Sequence, residues 1–399
     1  MINRGLNGEK MKLFYGNFSI DQIETVKEYL SKRRKSRDKE YFKIVFDISS
    51  SCNLKCRGCG TSAFKISEHS DNGFTSFKDI SDILQKINKF SEKCNVKPFI
   101  YLGGGEPLLH PKIAPIVKMA SEFFERNVGI DTNATANGAF NTIVELLPHL
   151  SYVGISLNGM KEYHNWWTKT EDSYEKTIEV IKKLCSESLS EYFEVTSIAT
   201  KKNIDDYEKF VRLLKEMGVV NFSIHRAMPV GRMLTLMDIV PNNIQYFKLL
   251  CFVANNSKDD FNIHLHHSIE ELHAALLLDE ENEYNKLGNP ERSSAISINY
   301  DGNVYFDPWC TSGCWRNLNA GNLLKADSLE ELLDKKKTQF YVACQSVMSK
   351  ERCNSCQIHC SGGSRVAAAS NAMFLSKSVE PLEELLAIDP ACPLYEEGE

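Results

Sequence analysis

From Tyr41 onward the chain alternates short β-branched and aromatic runs with amphipathic helical patterns, and this alternation limits the fold more than any other feature. Ile44–Ile48, Phe99–Leu102, Val128–Asp131, Tyr152–Ser156, Phe193–Ile198 and Val219–His225 read as strands. Between them Ile80, Ile83, Leu84 and Ile87 recur at helical spacing, as do Ile178, Ile181 and Leu184. Strands separated by helices lie side by side in parallel, joined by right-handed crossovers. Six such units predict an α/β fold, a partial (β/α)6 TIM-like barrel, with its chemistry at the C-terminal ends of the strands.

Around that barrel, taken as residues 41–240, the chain divides further. Residues 1–40 form an N-terminal helical segment, with a helix from about Ile20 to Arg34. Residues 241–290 are unevenly helical and read as a bridge. Residues 291–399 open on a hairpin, Ala295–Tyr300 and Val304–Phe306, because Asp301-Gly302 supplies the positive φ angles of a tight turn. Cysteine-rich chain follows.

With 47 basic and 53 acidic residues, the net charge of −6 argues against a nucleic-acid partner. No apolar stretch is long enough to span a bilayer, and Met1–Lys10 lacks the apolar centre of a secretory signal, so a cytoplasmic protein with no membrane partner is expected. In such a reducing compartment, 13 cysteines point to metal or redox chemistry rather than disulfides. Three lie in Cys52–Cys59 and seven in Cys310–Cys392.

Cys52-Asn-Leu-Lys-Cys56-Arg-Gly-Cys59 follows the first strand directly, so three thiolates meet at the open end of the barrel. Zinc closes with four ligands and iron–sulfur clusters usually take four cysteines; three leave one metal position free. The spacing also differs from the paired two-residue spacing of zinc ribbons, although a structural zinc site remains the competing reading.

Cys52-x3-Cys56-x2-Cys59 after a first barrel strand resembles the signature of the radical S-adenosylmethionine (SAM) superfamily. The resemblance implies a [4Fe–4S] cluster with one open iron on Cys52, Cys56 and Cys59, and SAM as the cofactor bound there. Gly103-Gly104-Gly105-Glu106-Pro107, after the second strand, resembles the family's Gly-Gly-Glu-Pro segment. The likeness implies that Gly104, Gly105, Glu106 and Pro107 meet the methionine amino group, the carboxylate pairing with an ammonium. Thr132-Asn133 and Ile155-Ser156-Leu157-Asn158-Gly159 are similar to segments that contact the carboxylate and ribose of SAM; caps and turns are the plainer reading of both. Arg226, in the run to Pro229-Val-Gly231-Arg232, has two readings: a contact to a carboxylate of SAM or substrate, or a structural salt bridge. Two residues depart from the pattern. Gly58 stands where the family commonly carries an aromatic near adenine, and Asn158 replaces the commoner aspartate.

The later cysteines resemble the auxiliary-cluster extension called SPASM, or its shortened form Twitch. The likeness implies an auxiliary iron–sulfur cluster on Cys353, Cys356, Cys360 and Cys392, with zinc as the alternative. Cys310 and Cys314 match a second cluster, but Ala326 and Ser364 stand where cysteines are expected; Cys344 restores a third ligand. One and two auxiliary clusters are both open readings. Cys94, Cys185 and Cys251 read as free thiols, and His264, His266, His267 and His273 as packing or surface residues rather than a metal site. Trp166 and Trp167 line either a substrate cleft or the core.

The implied activity is reductive cleavage of SAM to a 5′-deoxyadenosyl radical that abstracts a substrate hydrogen. The leading substrate is a peptide or protein side chain that becomes oxidised or crosslinked, for instance by a thioether, with flavodoxin or ferredoxin as electron donor. A radical enzyme acting on a small molecule, such as a dehydrogenase, is the alternative. A non-enzymatic iron–sulfur electron carrier or zinc-binding protein is the alternative of another class, which Gly104–Pro107 disfavours.

Overall fold

The computed structural model describes residues 13–35, 42–65, 73–265, 267–278, 295–311, 313–333 and 391–392. Ten strands form one sheet: β1 (Phe42–Ser49), β2 (Pro98–Gly104), β3 (Val128–Thr132), β4 (Tyr152–Ser156), β5 (Glu194–Ala199), β6 (Asn221–Arg226), β7 (Asn262–Leu265), β8 (Ala295–Ile298), β9 (Asn303–Tyr305) and β10 (Gly321–Asn322). Their order is β10-β9-β8-β1-β2-β3-β4-β5-β6-β7. From β8 across to β7 all neighbours are parallel, and β9 and β10 add antiparallel edges.

The first six strands are those expected from the sequence, within about two residues at each end. Val219 and Val220 fall outside β6. The preceding helix closes on them: Gly218 takes a left-handed φ of 86°, and the Val219 amide donates to Leu214 O at 3.0 Å. Four strands lie beyond the six, and two of them, β7 and β8, extend the sheet's parallel part. Where a helical bridge was expected over 241–290, β7 pairs in parallel with β6. The expected hairpin does form, Ile298 opposite Val304, with Gly302 at φ 83° in its turn. Its first strand also joins the barrel sheet, Lys43 opposite Ala295 on β1.

Period-two alternation sets the two faces of the sheet. Ile44, Phe46, Ile48, Ile100, Leu102, Ile130, Ile155, Val195, Phe222 and Ile224 are wholly buried on the helix side. The helices against them are α1 (Ile20–Lys35), α2 (Phe77–Cys94), α3 (Ile113–Phe123), α4 (Ala139–Leu146), α5 (Lys161–Thr168), α6 (Ser173–Ser186), α7 (Tyr207–Glu216), α8 (Asn243–Asn256) and α9 (His267–Leu277); a short α10 (Leu329–Leu333) follows β10. In α2, Ser76 caps the first turn by accepting from Asp79 N, and Ile80, Ile83, Leu84 and Ile87 are fully buried, each contributing roughly 1.5–3 kcal/mol. The N-terminal segment docks on α8 through aromatic rings, Phe18 to Phe247 at 4.5 Å and Tyr15 to Phe247 at 5.2 Å. Among the described residues no helix is long and apolar enough to cross a membrane.

Candidate cluster and cofactor site

The cysteine loop is anchored where it leaves β1. Ser51–Cys52 pairs in parallel with Phe64–Lys65, and the chain between them carries the other two cysteines. Cys52 is buried, Cys56 and Cys59 are half-buried, and the three share one small apolar cluster with Leu54 and Ala63. Burial, Glu106 and the neighbouring thiols push Cys52 far above its usual range; burial and Cys59 push Cys56 up to about 12, against the pull of Arg232. Thiols so held stay protonated near neutral pH unless a metal cation displaces the proton. Among the described residues no three His, Cys, Asp or Glu side chains surround one single-ion point.

The glycine run lies flat against the chain entering this loop. Gly104 takes φ 109°, and the Gly105 and Glu106 amides donate to Ser49 O at 2.8 Å and Ser51 O at 2.9 Å. A Cβ on Gly105 would sit 1.8 Å from Ser51 O, so only glycine fits. Glu106 is 1% exposed, and the sequence expectation of an ammonium partner meets a carboxylate already engaged. Its Oε1 accepts from Thr132 Oγ1 (2.7 Å) and Leu108 N (3.0 Å), and its Oε2 from Asn133 N (2.8 Å). Burial pushes it up to about 7 against these three donors. Pro107 opens a buried single turn, Pro107–Leu109. Glu106 thus ties the end of β2 to that of β3.

Asn133 continues the tie to the sulfur, its Nδ2 lying 3.6 Å from Cys52 Sγ and 3.0 Å from Asn53 Oδ1. Asn158 brackets β4 and β5: its Oδ1 accepts from Ile198 N at 3.0 Å, and its carbonyl from Asn203 at 2.8 Å. Ser156 stays half-buried at the end of β4, on the face away from the helices. Arg226 is 3% exposed, its guanidinium 5.7 Å from the Tyr246 ring on α8. The site therefore brings Cys52, Cys56, Cys59, Gly104, Gly105, Glu106, Pro107, Thr132 and Asn133 together, while Ser156, Asn158 and Arg226 lie at or just past the ends of β4 and β6.

Three residues near the loop were not assigned this role from sequence. Arg232 donates from Nε to Cys56 O (2.8 Å) and from Nη1 to Ala63 O (2.7 Å), and Asn53 donates to Thr135 (2.8 Å). Trp167, 2% exposed, takes the space beside Gly58: a Cβ there would lie 2.3 Å from Trp167 Cη2 and 2.7 Å from Met233 Sδ. The aromatic missing at position 58 is thus replaced in space by an indole from α5, which could have been read from the pairing of a vacant Gly58 with Trp166-Trp167. Gly58→Phe is expected to cost about 1–3 kcal/mol in urea unfolding, and Trp167→Gly in the same chain to recover part of it; additive losses would refute the pairing.

Cys310 is buried beside Thr311, whose hydroxyl bonds Asp47 at the end of β1. Cys392 is buried, its carbonyl accepting from Asn243 at 3.1 Å. Cys344, Cys353, Cys356, Cys360 and the Cys314 side chain lie outside the described residues, as does His266. His264 sits 3.4 Å from Glu194, and His273 bonds Tyr15 at 2.9 Å, as packing residues do.

Residues 47–214 match the family model described as the Radical SAM superfamily. The chain is 26% identical over 197 residues to the AdoMet-dependent heme synthase of Methanosarcina barkeri, covering 47% of this chain and 51% of that protein. It is 22% identical over 191 residues to the Pre-heme d1 synthase of Dinoroseobacter shibae, covering 47% and 44%. The chain thus spans about half the length of these curated relatives. Among solved structures, Streptococcus suis SuiB bound to S-adenosylmethionine superposes with a TM-score of 0.61 at 17% identity, covering 92% of this chain and 81% of that one. Native anSMEcpe with bound AdoMet gives 0.59 at 18%, covering 86% and 96%. These likenesses establish a shared fold.

Proposed function

We propose that this chain is a radical SAM enzyme, on the match of residues 47–214 to that superfamily, and that it cleaves SAM reductively and uses the resulting radical to modify a peptide or protein side chain. The observation that carries this reading is the physical tie between the cysteine loop, the glycine run and Thr132-Asn133, through Glu106 and the contact of Asn133 with Cys52. Cys52, Cys56 and Cys59 hold the cluster. When bound, it supplies the electron that splits the SAM sulfonium into methionine and a 5′-deoxyadenosyl radical. Gly104 and Gly105 let the backbone lie against Ser49 and Ser51 at the entry to the cysteine loop, and Arg232 holds the loop in register. The barrel wall excludes water and stray hydrogen donors.

Cys353, Cys356, Cys360 and Cys392 are the proposed ligands of an auxiliary cluster within a SPASM- or Twitch-like module over 291–399, and Cys310, Cys314 and Cys344 those of a second. Flavodoxin or ferredoxin is the proposed donor. The peptide reading draws support from the C-terminal cysteine pattern, and from the fold shared with SuiB and anSMEcpe, structures of which hold the precursor peptide SuiA and the Cp18Cys peptide. A small-molecule reading is favoured by the curated relatives, named as heme synthases.

Anaerobic reconstitution followed by SAM and a reductant is expected to yield 5′-deoxyadenosine, and Cys56→Ala to abolish it. A wild-type protein that holds iron yet forms none refutes the reading. Iron counting separates one auxiliary cluster from two, and product analysis with peptide against porphyrin substrates separates the two substrate classes.

A further inference from the structure

Beside the cysteine loop the surface gathers cations around one indole. Arg57 stands in the chain between Cys56 and Cys59 and is clamped to α5 twice: its amide donates to Trp167 O and its Nε to Trp166 O, both at 2.8 Å. Lys202, just past β5, reaches the same indole from another element. The Arg57 guanidinium carbon lies 4.9 Å and the Lys202 ammonium 5.3 Å from the centre of the Trp166 ring. Lys201 adjoins Lys202, and Lys169 follows α5 one turn beyond Trp166. Arg57 and Trp166 are half-buried, and the three lysines are exposed.

These charges are not neutralised within the fold. Among the described residues no carboxylate pairs with Arg57, Lys169, Lys201 or Lys202. Three acids of the neighbouring segments pair elsewhere: Glu175 with Lys161, Asp172 with Lys176 at 2.7 Å, and Asp206 with Lys209 at 3.3 Å. Glu162, Glu171 and Asp205 share those segments and make no ion pair with the four cations. Like charges held together repel, and the ring offsets only part of that repulsion. An acidic partner offsets the rest.

The place of the patch says which partner gains from it. A protein seated on Trp166 and Arg57 stands one residue from Cys56 and two from Cys59. The same rim dips into a polar cleft of about 310 Å³, whose lining includes Thr170, next to Lys169, and Asn53, next to Cys52. All three sulfurs thus have a surface approach along the chain that carries them. A substrate must reach the barrel interior, whereas an electron carrier has only to come close to the metal from outside.

We infer that Arg57, Lys169, Lys201 and Lys202, grouped about Trp166, form the docking surface for a small acidic electron-carrier protein. The inference rests on the function proposed above and gives that donor its seat. In the docked pair the carrier is oxidised by one electron and the metal centre on the cysteine loop is reduced by one; no bond forms and no proton moves. The cations raise the encounter rate and orient the carrier.

The test uses the cluster-loaded full chain, with flavodoxin as the acidic probe and dithionite as a small reductant that needs no docking. Lys169→Glu, Lys201→Glu and Lys202→Glu are combined in one chain. This variant is expected to bind flavodoxin about tenfold more weakly in calorimetric titration, and to lose the salt dependence that wild type shows. Its 5′-deoxyadenosine formation should fall with flavodoxin and stay at the wild-type rate with dithionite. Lys78→Glu, Lys89→Glu and Lys118→Glu, exposed on α2 and α3, make the same change of net charge elsewhere and are expected to bind flavodoxin as wild type does. The three glutamine substitutions at 169, 201 and 202 carry the test should the glutamate variant not fold. Equal flavodoxin affinity in the two triple variants overturns the inference, as does an equal loss of rate with both reductants. So does a variant that keeps flavodoxin but loses polyglutamate, the probe for an acidic substrate peptide. If dithionite yields 5′-deoxyadenosine while flavodoxin ignores the lysines, the docking surface alone fails. Salt-sensitive flavodoxin binding that the variant loses, with no 5′-deoxyadenosine from either reductant, sinks the proposed activity and leaves the surface standing.

Discussion

Gly105→Ala is expected to lower the unfolding free energy by about 3 kcal/mol, the upper end of what overpacking a core position costs. The new Cβ would stand 1.8 Å from Ser51 O, 2.3 Å from Ser51 C and 2.9 Å from Ser51 N. All three are backbone atoms, so no rotamer change relieves the clash. Neither chain can withdraw: the Gly105 and Glu106 amides donate to Ser49 O and Ser51 O at 2.8 and 2.9 Å, and Cys52 follows immediately. The strain therefore falls on the segment that presents the first sulfur, and loss of iron accompanies loss of stability. Gly60→Ala is the control, since in the same loop its nearest neighbours would be side-chain carbons of Trp309 and Val230 at 3.5 Å, an ordinary contact. Its cost is expected within about 0.5 kcal/mol, as for substitutions away from strained features. Urea unfolding of both variants without metal checks this, and a Gly105→Ala protein as stable as Gly60→Ala would show that the glycine run is no close backbone contact.

The same contrast shows what a sequence reader sees and what stays hidden. The period-two and period-3.6 patterns marked β1 to β6 and the buried face of α2, because burial imprints its own spacing on the chain. β7 stayed hidden: Asn262–Leu265 is four residues long, and its pairing with β6 is visible only in the sheet. The cysteine loop, the glycine run and Thr132-Asn133 were legible as short local patterns. What those patterns could not tell is which oxygen meets which donor. Glu106 reads as the partner of an ammonium until Thr132, Leu108 and Asn133 are seen donating to it.

Arg232 shows how such a hidden contact bears on the chemistry, and Arg232→Ala is the second large effect expected. The guanidinium reaches across from the segment after β6 to two carbonyls of the cysteine loop, Cys56 O at 2.8 Å and Ala63 O at 2.7 Å, while its own amide donates to Cys59 O at 3.0 Å. Gly231 makes the approach possible, at φ 55° and with its missing Cβ 2.3 Å from Gly60 O. Hydrogen bonds from a charged donor contribute about 1.5–3 kcal/mol each, so removing both leaves the loop free to open around the sulfurs. The same change removes the charge that draws the Cys56 thiol downward, so fewer thiolates are available to iron near neutral pH. We expect the alanine variant to reconstitute with several-fold less iron, and to surrender it sooner to a chelator, while the metal-free protein keeps its helical circular dichroism. Arg232→Lys separates the two contributions, because an ammonium keeps the charge but cannot span both carbonyls as the planar fork does. Its iron retention should fall between wild type and alanine. Wild-type retention in the alanine variant would mean that the loop holds its shape unaided, and that the bond network described for it is incidental to metal binding.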